Sequence, residues 1–437
     1  MNNFKTVAFY TLGCKLNFAE TSTITRLFID NNFKKVSFKS KADVYIINSC
    51  CVTEAAEKKS RNIINRAISQ NPDAIIVVTG CYAQLQFEKI SKIKGVDLIL
   101  GNDEKFNIIK HIANNDKSKI PQVFINNSEI LNTFYSSFSI DERTRSFLKV
   151  QDGCDYKCSY CTVPKVRGNS RNADIQTITE QANIIAKKGI KEIILTGINI
   201  GDYGKSTNES FLDLIKKLDD IEGIERFRIS SIEPDLLKDN IIQFISDSKK
   251  FVPHFHIPLQ SGSDSILKLM KRRYNADSFS KKIKSIKNII PDVAIGIDVI
   301  VGFPGETEKE FLETFNLINN LDISYLHIFT FSERPDTEAI KLDKKVLNIE
   351  KNRRSKLLHN LSEIKKNQFY RNNLNKIYEV LFESANHIGQ MYGFTGNYIK
   401  TEIPYNSNYI NKIIKVKLQN INDAGNVSAI VIDNKKT

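Results

Sequence analysis

Three cysteines, Cys154, Cys158 and Cys161, form a C-x-x-x-C-x-x-C array inside the stretch 148–171. Three thiolates that close together, with no fourth ligand nearby, do not suit a closed structural zinc site, which takes four. They suit a four-iron cluster with three irons held by protein and the fourth left open. A zinc knuckle or unrelated thiols are the plainer alternatives. The array must be positioned by what precedes it. The apolar run Phe147 to Val150 reads as a strand, and the cysteines follow it on a loop.

The other four cysteines are Cys14, Cys50, Cys51 and Cys81. Apolar, β-rich runs lead into three of these positions: Val7 to Gly13, Val44 to Ser49, and Ile75 to Gly80. Helix-like stretches lie between them, Asn17 to Asn31 and Thr53 to Gln70, the latter with apolar positions at Ile63, Ile64, Ala67 and Ile68. Alternating strands and helices imply a parallel sheet. In such a sheet all carboxyl ends share one edge, where ligands bind. Cysteines more than 30 residues apart can therefore converge into a second three-thiolate site. Each one taken alone reads equally as a small buried hydrophobe. Cys50 and Cys51 are adjacent, and only one of them should face the cluster. The expectation is Cys50, with Cys51 a packing residue or spare thiol.

The chain has 437 residues, 41% hydrophobic and 26% charged, which is ordinary for a multidomain globular protein. A net charge of +13 favours a polyanionic partner such as RNA over a neutral metabolite, although solvated lysine-rich surfaces would give the same number. Seven scattered cysteines are too few for a secreted disulfide scaffold of this length. The N-terminal residues lack the apolar core of a signal peptide. No run of about 18 apolar residues occurs, so no membrane span is expected. The expected compartment is the cytoplasm.

Two sets of motifs carry a resemblance. Tyr160 before the last cysteine of the array resembles the radical S-adenosylmethionine (SAM) enzymes. Thr11-Leu-Gly-Cys-Lys-Leu-Asn-Phe-Ala-Glu-Thr, Ile47-Asn-Ser-Cys-Cys-Val-Thr and Val77-Val-Thr-Gly-Cys-Tyr-Ala-Gln resemble the N-terminal domain of the radical-SAM methylthiotransferases. The resemblance covers nearly the whole chain. It implies two [4Fe-4S] clusters: an auxiliary one on Cys14, Cys50 and Cys81, and a SAM-binding one on Cys154, Cys158 and Cys161. The one departure is Cys51, where the family has a non-thiol residue.

The expected organisation is α/β in three parts. Residues 1–125 form a parallel-sheet domain and residues 141–373 a core domain. Residues 374–437 form a small OB-like β-barrel. A polar linker, about 115–140, carries one short strand at Gln122-Val-Phe-Ile. In the core, β-rich runs at 147–150, 192–196, 226–230, 254–257, 295–301 and 324–331 alternate with helices and read as a partial (βα)6 TIM-like barrel. Glycine and polar residues follow its strands. By resemblance, Gly197 and Asn199 lie near the amino acid end of SAM, Ser231 and Gln260 near its ribose, and Gly302 beside the adenine. No catalytic residue is expected beyond the cluster ligands. His254, His256 and His327 read as hydrogen-bonded core histidines. Arg167, Arg171, Arg272 and Arg273 are candidates for binding phosphate or carboxylate, since guanidinium forks do so bidentately.

Residues 341–373 carry ten Lys/Arg against three Asp/Glu, with an apolar stripe expected at Leu347, Leu357, Leu358 and Leu361. This basic helix could contact RNA phosphates. The last barrel resembles a TRAM domain, an RNA-binding module. There Phe394, Tyr398 and Lys400 interleave aromatic and basic groups as stacking surfaces do.

The resemblance implies a tRNA methylthiotransferase. Ser230-Ser-Ile-Glu-Pro and Gly13-Cys-Lys-Leu-Asn resemble the branch that modifies carbon 2 of threonylcarbamoyl-adenosine next to the anticodon. The alternatives are the isopentenyl-adenosine branch, the branch acting on a ribosomal-protein aspartate, and a non-catalytic iron–sulfur RNA-binding protein. Expected partners are the tRNA anticodon stem-loop and an electron donor, and the sulfur donor is left open.

Overall fold

A computed structural model describes residues 6–114, 120–127, 131, 133–140, 144–387 and 389–432. The parts of the expected linker at 115–119, 128–130 and 132 lie outside the described residues.

The runs that end beside Cys14, Cys50 and Cys81 are strands of one six-stranded sheet. It comprises β1 (Thr6–Thr11), β2 (Lys34–Lys35), β3 (Val44–Ser49), β4 (Ile75–Gly80), β5 (Leu98–Leu100) and β6 (Gln122–Phe124). The order is β2-β1-β3-β4-β5-β6, parallel throughout. β3 and β4 are buried along their whole length, so they read as continuous apolar runs. Helices α1 (Lys15–Asp30), α2 (Glu54–Gln70), α3 (Cys81–Ser91) and α4 (Ile108–Ala113) make the crossovers. The strand expected in the linker extends this sheet at its edge.

β7 (Arg145–Lys149) opens the central unit. A two-stranded antiparallel clamp follows, β8 (Gln151–Asp152) with β9 (Arg171–Asn172). The clamp brackets the cysteine loop and the short helix α5 (Val163–Arg167). Then come β10 (Glu192–Thr196), β11 (Arg226–Ile229), β12 (His254–Gln260), β13 (Ala294–Val301) and β14 (Tyr325–Thr330). All six expected barrel strands are present, but their ladder is interrupted. β11-β10-β7 and β12-β13-β14 are separate parallel sheets, joined by isolated bridges at Phe227–Phe251 and Ser231–His256. Pro253 before β12 and Pro258 within it withhold amide donors at this junction. Outward residues such as Leu148, Ile193, Phe227, Phe255 and Ile297 pack with the crossover helices. Those helices are α6 (Ile175–Lys187), α7 (Phe211–Asp219), α8 (Asp239–Asp247), α9 (Asp264–Leu269), α10 (Ala276–Ile289) and α11 (Glu308–Asn320). The alternate positions, which include Lys149, Glu192, Arg228, His256 and Asp298, face the lumen, as a period of two requires.

α12 (Asn348–Arg371) leads to the last unit. Its buried stripe differs from the expected one. Leu358 and Leu361 are buried, together with Arg354, Ser362, Lys365 and Phe369, while Leu347 and Leu357 are exposed. β15 (Ile377–His387), β16 (Gln390–Thr395), β17 (Lys400–Pro404), β18 (Ile413–Ile421) and β19 (Val427–Val431) close into a five-stranded barrel, as expected.

Candidate functional site

The cysteine loop is fixed by its own backbone. Gly153 has φ +71°, and a Cβ there would come within 1.9 Å of the Asn169 carbonyl oxygen. The Cys154 amide donates to the Gly168 carbonyl at 3.0 Å, which closes the loop. The Tyr156 amide donates to Cys154 Sγ and the Val163 amide to Cys161 Sγ, both at 3.4 Å. Arg272 donates to Cys158 Sγ at 3.2 Å and pairs with Glu233. Burial pushes the Cys154 and Cys161 thiols up to about 12. They stay protonated at neutral pH until a metal displaces the proton.

The second triad stands at the strand ends. Cys14 caps α1 after β1, Cys50 follows β3, and Cys81 opens α3 after β4. Two glycines allow this close approach. At Gly13 (φ +98°) a Cβ would lie 3.0 Å from Cys50 Sγ, and at Gly80 (φ +91°) it would lie 2.4 Å from Asn48 Oδ1. Cys50 is electrostatically close to both Cys81 and Cys14. Cys51 is close to Cys81, Cys50 and Thr162, and its side chain packs in the core beneath the sheet edge. Burial raises the Cys50 thiol to about 12 and raises Cys14 as well, with Arg167 opposing both.

A buried charge network joins the two triads. Glu20 of α1 accepts from Lys105 Nζ at 2.6 Å, Lys149 Nζ at 3.0 Å and Arg167 Nη1 at 3.1 Å. Asp152 accepts from Lys149 at 2.6 Å, Arg167 at 3.0 Å and Arg171 at 3.3 Å. Burial alone would raise both carboxyls. The surrounding cations outweigh it and hold both below the usual carboxylate range. Two carboxylates thus face four cations, and Arg167 is also close to Cys14 and Cys81.

Beside Cys161 lies a cavity of about 270 Å³. Val52 and Thr53 line it from the N-terminal sheet. Tyr160, Cys161, Gln260 and Asp298 line it from the central barrel, along with Arg334. Arg334 ties the two sides by donating to Glu57 at 2.5 Å and to the Cys51 carbonyl at 3.1 Å.

Of the residues expected around SAM, Gln260 lines this cavity, while Gly197, Asn199, Ser231 and Gly302 do not. Gly197 leaves room for Gln151 and Ile200. Asn199 Oδ1, Ser230 Oγ and Gln260 Oε1 are buried acceptors without a hydrogen-bond partner among the described residues. Gln260 also holds a left-handed backbone, φ +64°. Ser231 bridges to His256. Gly302 has a different reason to be glycine. Its missing side chain admits the stem of Lys351, 2.3 Å from an added Cβ, and its amide donates to Glu306 at 2.5 Å.

Of the four arginines singled out, only Arg272 touches a cysteine of the loop. Arg167 and Arg171 are spent on the internal network, and Arg273 stacks on Tyr156 at 3.8 Å. His254 meets the Tyr325 hydroxyl at 2.8 Å. His256 and His327 share Asp298 Oδ1, at 2.8 and 3.3 Å. Phe394 and Tyr398 do not form a free stacking surface. They stack on each other at 4.9 Å and lie under Arg145 and Arg228 of the central barrel. The cations of α12 are also largely engaged: Arg353 and Arg354 pair with Glu308, Glu350 and Glu306, and Lys365 donates to two carbonyls. Glu20, Lys105, Lys149 and Asp152 were not foreseen. An acid inside an otherwise helix-forming stretch gives no signal of burial.

Residues 148–318 match the Radical SAM superfamily and residues 6–101 match Uncharacterized protein family UPF0004. The structure of the radical S-adenosylmethionine methyltransferase TsrM from Kitasatospora setae shares the fold, with a TM-score of 0.56 over 77% of each chain at 13% identity. The central unit and its thiol loop are those of a radical SAM enzyme, which implies SAM and a [4Fe-4S] cluster. The threonylcarbamoyladenosine tRNA methylthiotransferase MtaB of Bacillus subtilis (strain 168) is 39% identical over 422 residues, covering 94% of this chain and 93% of its own length. Its Aquifex aeolicus (strain VF5) counterpart is 38% identical over 90% of this chain and 95% of its own. The tRNA-2-methylthio-N(6)-dimethylallyladenosine synthase of Clostridium tetani (strain Massachusetts / E88) is 34% identical over 93% and 92%. This chain belongs to the radical SAM methylthiotransferase family, enzymes that transfer sulfur-containing groups. No helix among the described residues is long and apolar enough to cross a membrane.

Proposed function

We propose that the protein adds a methylthio group to carbon 2 of threonylcarbamoyl-adenosine beside the anticodon of tRNA. The observation that carries this reading is the pair of thiol triads joined by one buried charge network through Arg167. The donor set fits clusters better than single ions. Zn–S bonds of about 2.3 Å would bring tetrahedral thiolates to about 3.8 Å of one another. Among the described residues, the grouping whose ligand atoms all lie within 4.8 Å is His256, Asp298 and His327, and neither cysteine triad is so compact. The excess of buried cations around Arg167 suits thiolates that carry negative charge when metal is bound. Cys154, Cys158 and Cys161 would hold one four-iron cluster, and Cys14, Cys50 and Cys81 the second. When bound, the clusters and SAM supply the one-electron chemistry and the methylthio group, which no side chain offers.

The chain's own residues bind, orient and enclose. Arg272 would fix the Cys158 sulfur by its hydrogen bond. The unpaired acceptors Asn199 Oδ1, Ser230 Oγ and Gln260 Oε1 suit a polar ligand with several donors, as SAM is. Arg334 and Glu57 would hold the two sides together and limit entry of water. In this reading residues 1–125 carry the auxiliary cluster, 141–373 the SAM chemistry and 374–437 part of the grip on the anticodon stem-loop. The reaction takes place in the cytoplasm with an electron donor. The family relatives and the Glu233 and Lys15 motifs favour the threonylcarbamoyl base.

The test offers the purified, reconstituted protein tRNA bearing either modification and reads nucleosides by mass spectrometry. The 2-methylthio form of threonylcarbamoyl-adenosine is the expected product. Product from the isopentenyl base alone would overturn the substrate, and no product with SAM still cleaved would overturn the transfer.

A further inference from the structure

Among the described residues, the lumen of the open barrel meets a cation, Lys15, that has no partner in the protein. Lys15 follows Cys14 and opens α1. Three residues on, Phe18 packs with Phe147 and Ile194, lumen-facing residues of β7 and β10. Residues three apart share a helix face, so Lys15 lies on the side that α1 turns to the barrel. Its ammonium is within electrostatic reach of Arg228 on β11, Arg145 on β7 and Asp298 on β13, which border the lumen from different sides. The side chain is solvent-accessible yet surrounded by protein, as in a recess.

Its charged neighbours in the lumen are matched. Arg145 pairs with Glu383 at 2.7 Å and Arg228 with Glu192 at 2.9 Å, while Asp298 is occupied by His256 and His327. Lys15 has no hydrogen bond or ion pair among the described residues. Asp298 also lines the cavity beside Cys161 and Gln260. An ammonium surrounded by protein, near two guanidiniums and lacking an acceptor, is matched by an anion brought from outside.

We propose that Lys15 pairs with the free carboxylate of the threonylcarbamoyl group and selects that base over one with an apolar substituent. The inference rests on the substrate reading above and supplies its specificity-determining contact. A threonylcarbamoyl group ends in a carboxylate, whereas an isopentenyl group has no charge to pair. Neutral Lys15 variants would lose the contact. Lys15→Arg keeps the charge and would keep part of it.

The test measures equilibrium binding of three anticodon stem-loops to the reconstituted protein. One carries threonylcarbamoyl-adenosine, one its carboxyl methyl ester, and one plain adenosine. Wild type should bind the first about tenfold tighter than the other two, as a charge-assisted contact would give. Lys15→Gln should lose that gap while retaining its iron and its affinity for plain RNA, and Lys15→Arg should keep most of the gap. The ester performs the same deletion from the ligand side, so ester and Lys15→Gln together should cost no more than either alone. A gap that survives in Lys15→Gln overturns the role of Lys15 while the substrate reading stands. A wild type that ignores the threonylcarbamoyl group and modifies only the isopentenyl base overturns both.

Discussion

The two thiol triads are built in opposite ways. Cys154, Cys158 and Cys161 sit on one loop inside a two-stranded clamp, Cys154 and Cys161 held by amides two residues from their own sulfurs and Cys158 by Arg272. Cys14, Cys50 and Cys81 come from three strand ends and depend on the register of the whole parallel sheet. A local site survives as long as one loop keeps its shape. A topological site fails when any strand shifts, and a one-residue slip turns every side chain to the other face.

The largest separation comes from removing thiols. With about four irons at each site, replacing Cys154, Cys158 and Cys161 by Ala should remove about half the iron and abolish SAM cleavage. Replacing Cys14, Cys50 and Cys81 should remove the other half and leave reductive SAM cleavage. Iron analysis and 5′-deoxyadenosine release read the two outcomes, and one triple variant that empties both sites would break the comparison.

Backbone strain sharpens it next. Gly80→Ala forces a Cβ to 2.4 Å from Asn48 Oδ1 in a left-handed backbone. It should empty the strand-end site while the loop site keeps its iron.

Glu20→Gln addresses the seam between them. It leaves Lys105, Lys149 and Arg167 with one buried carboxylate fewer, which should cost about 3–5 kcal/mol, read by chemical denaturation. The same network sets a pH dependence. The Glu20 and Asp152 carboxyls lie below their ordinary range when folded. Unfolded carboxyls take up protons near pH 4 before the folded ones do. Stability from this pair is therefore full above about pH 4.5 and falls as the pH drops below it. A denaturation midpoint that stays flat from pH 6 to 3 would deny the network this role.

The smallest effect is expected from Cys51→Ala, which trims one buried thiol and should leave iron content unchanged. Loss of half the iron there would exchange the roles of Cys50 and Cys51.

The loop triad was legible because its spacing is itself the geometry. The strand-end triad was legible one step removed, through the rule that parallel strands share a carboxyl edge. Partnering was not legible. Arg167 and Arg171 look like ligand-binding guanidiniums until Glu20 and Asp152, from distant segments, arrive beside them. Phe394 and Tyr398 alternate as barrel residues should. Alternation tells the inside of a small barrel from its outside, but not whether that outside meets solvent or another unit. Leu347 and Leu357 fit a helical stripe by number, yet α12 buries the face that carries Arg354 and Lys365 because their heads reach acceptors.

The contact between the last barrel and the central one has a mechanical consequence. Arg226 donates to the carbonyls of Phe394 and Glu379, and Arg228 to those of Gly396 and Thr395. These lumen guanidiniums are thus tethered to the backbone of the C-terminal barrel. A pull on that barrel is a pull on the wall of the reaction chamber, two bonds away from Glu192 and one ring away from His254. A chain cut at residue 373 would lose a wall of that chamber.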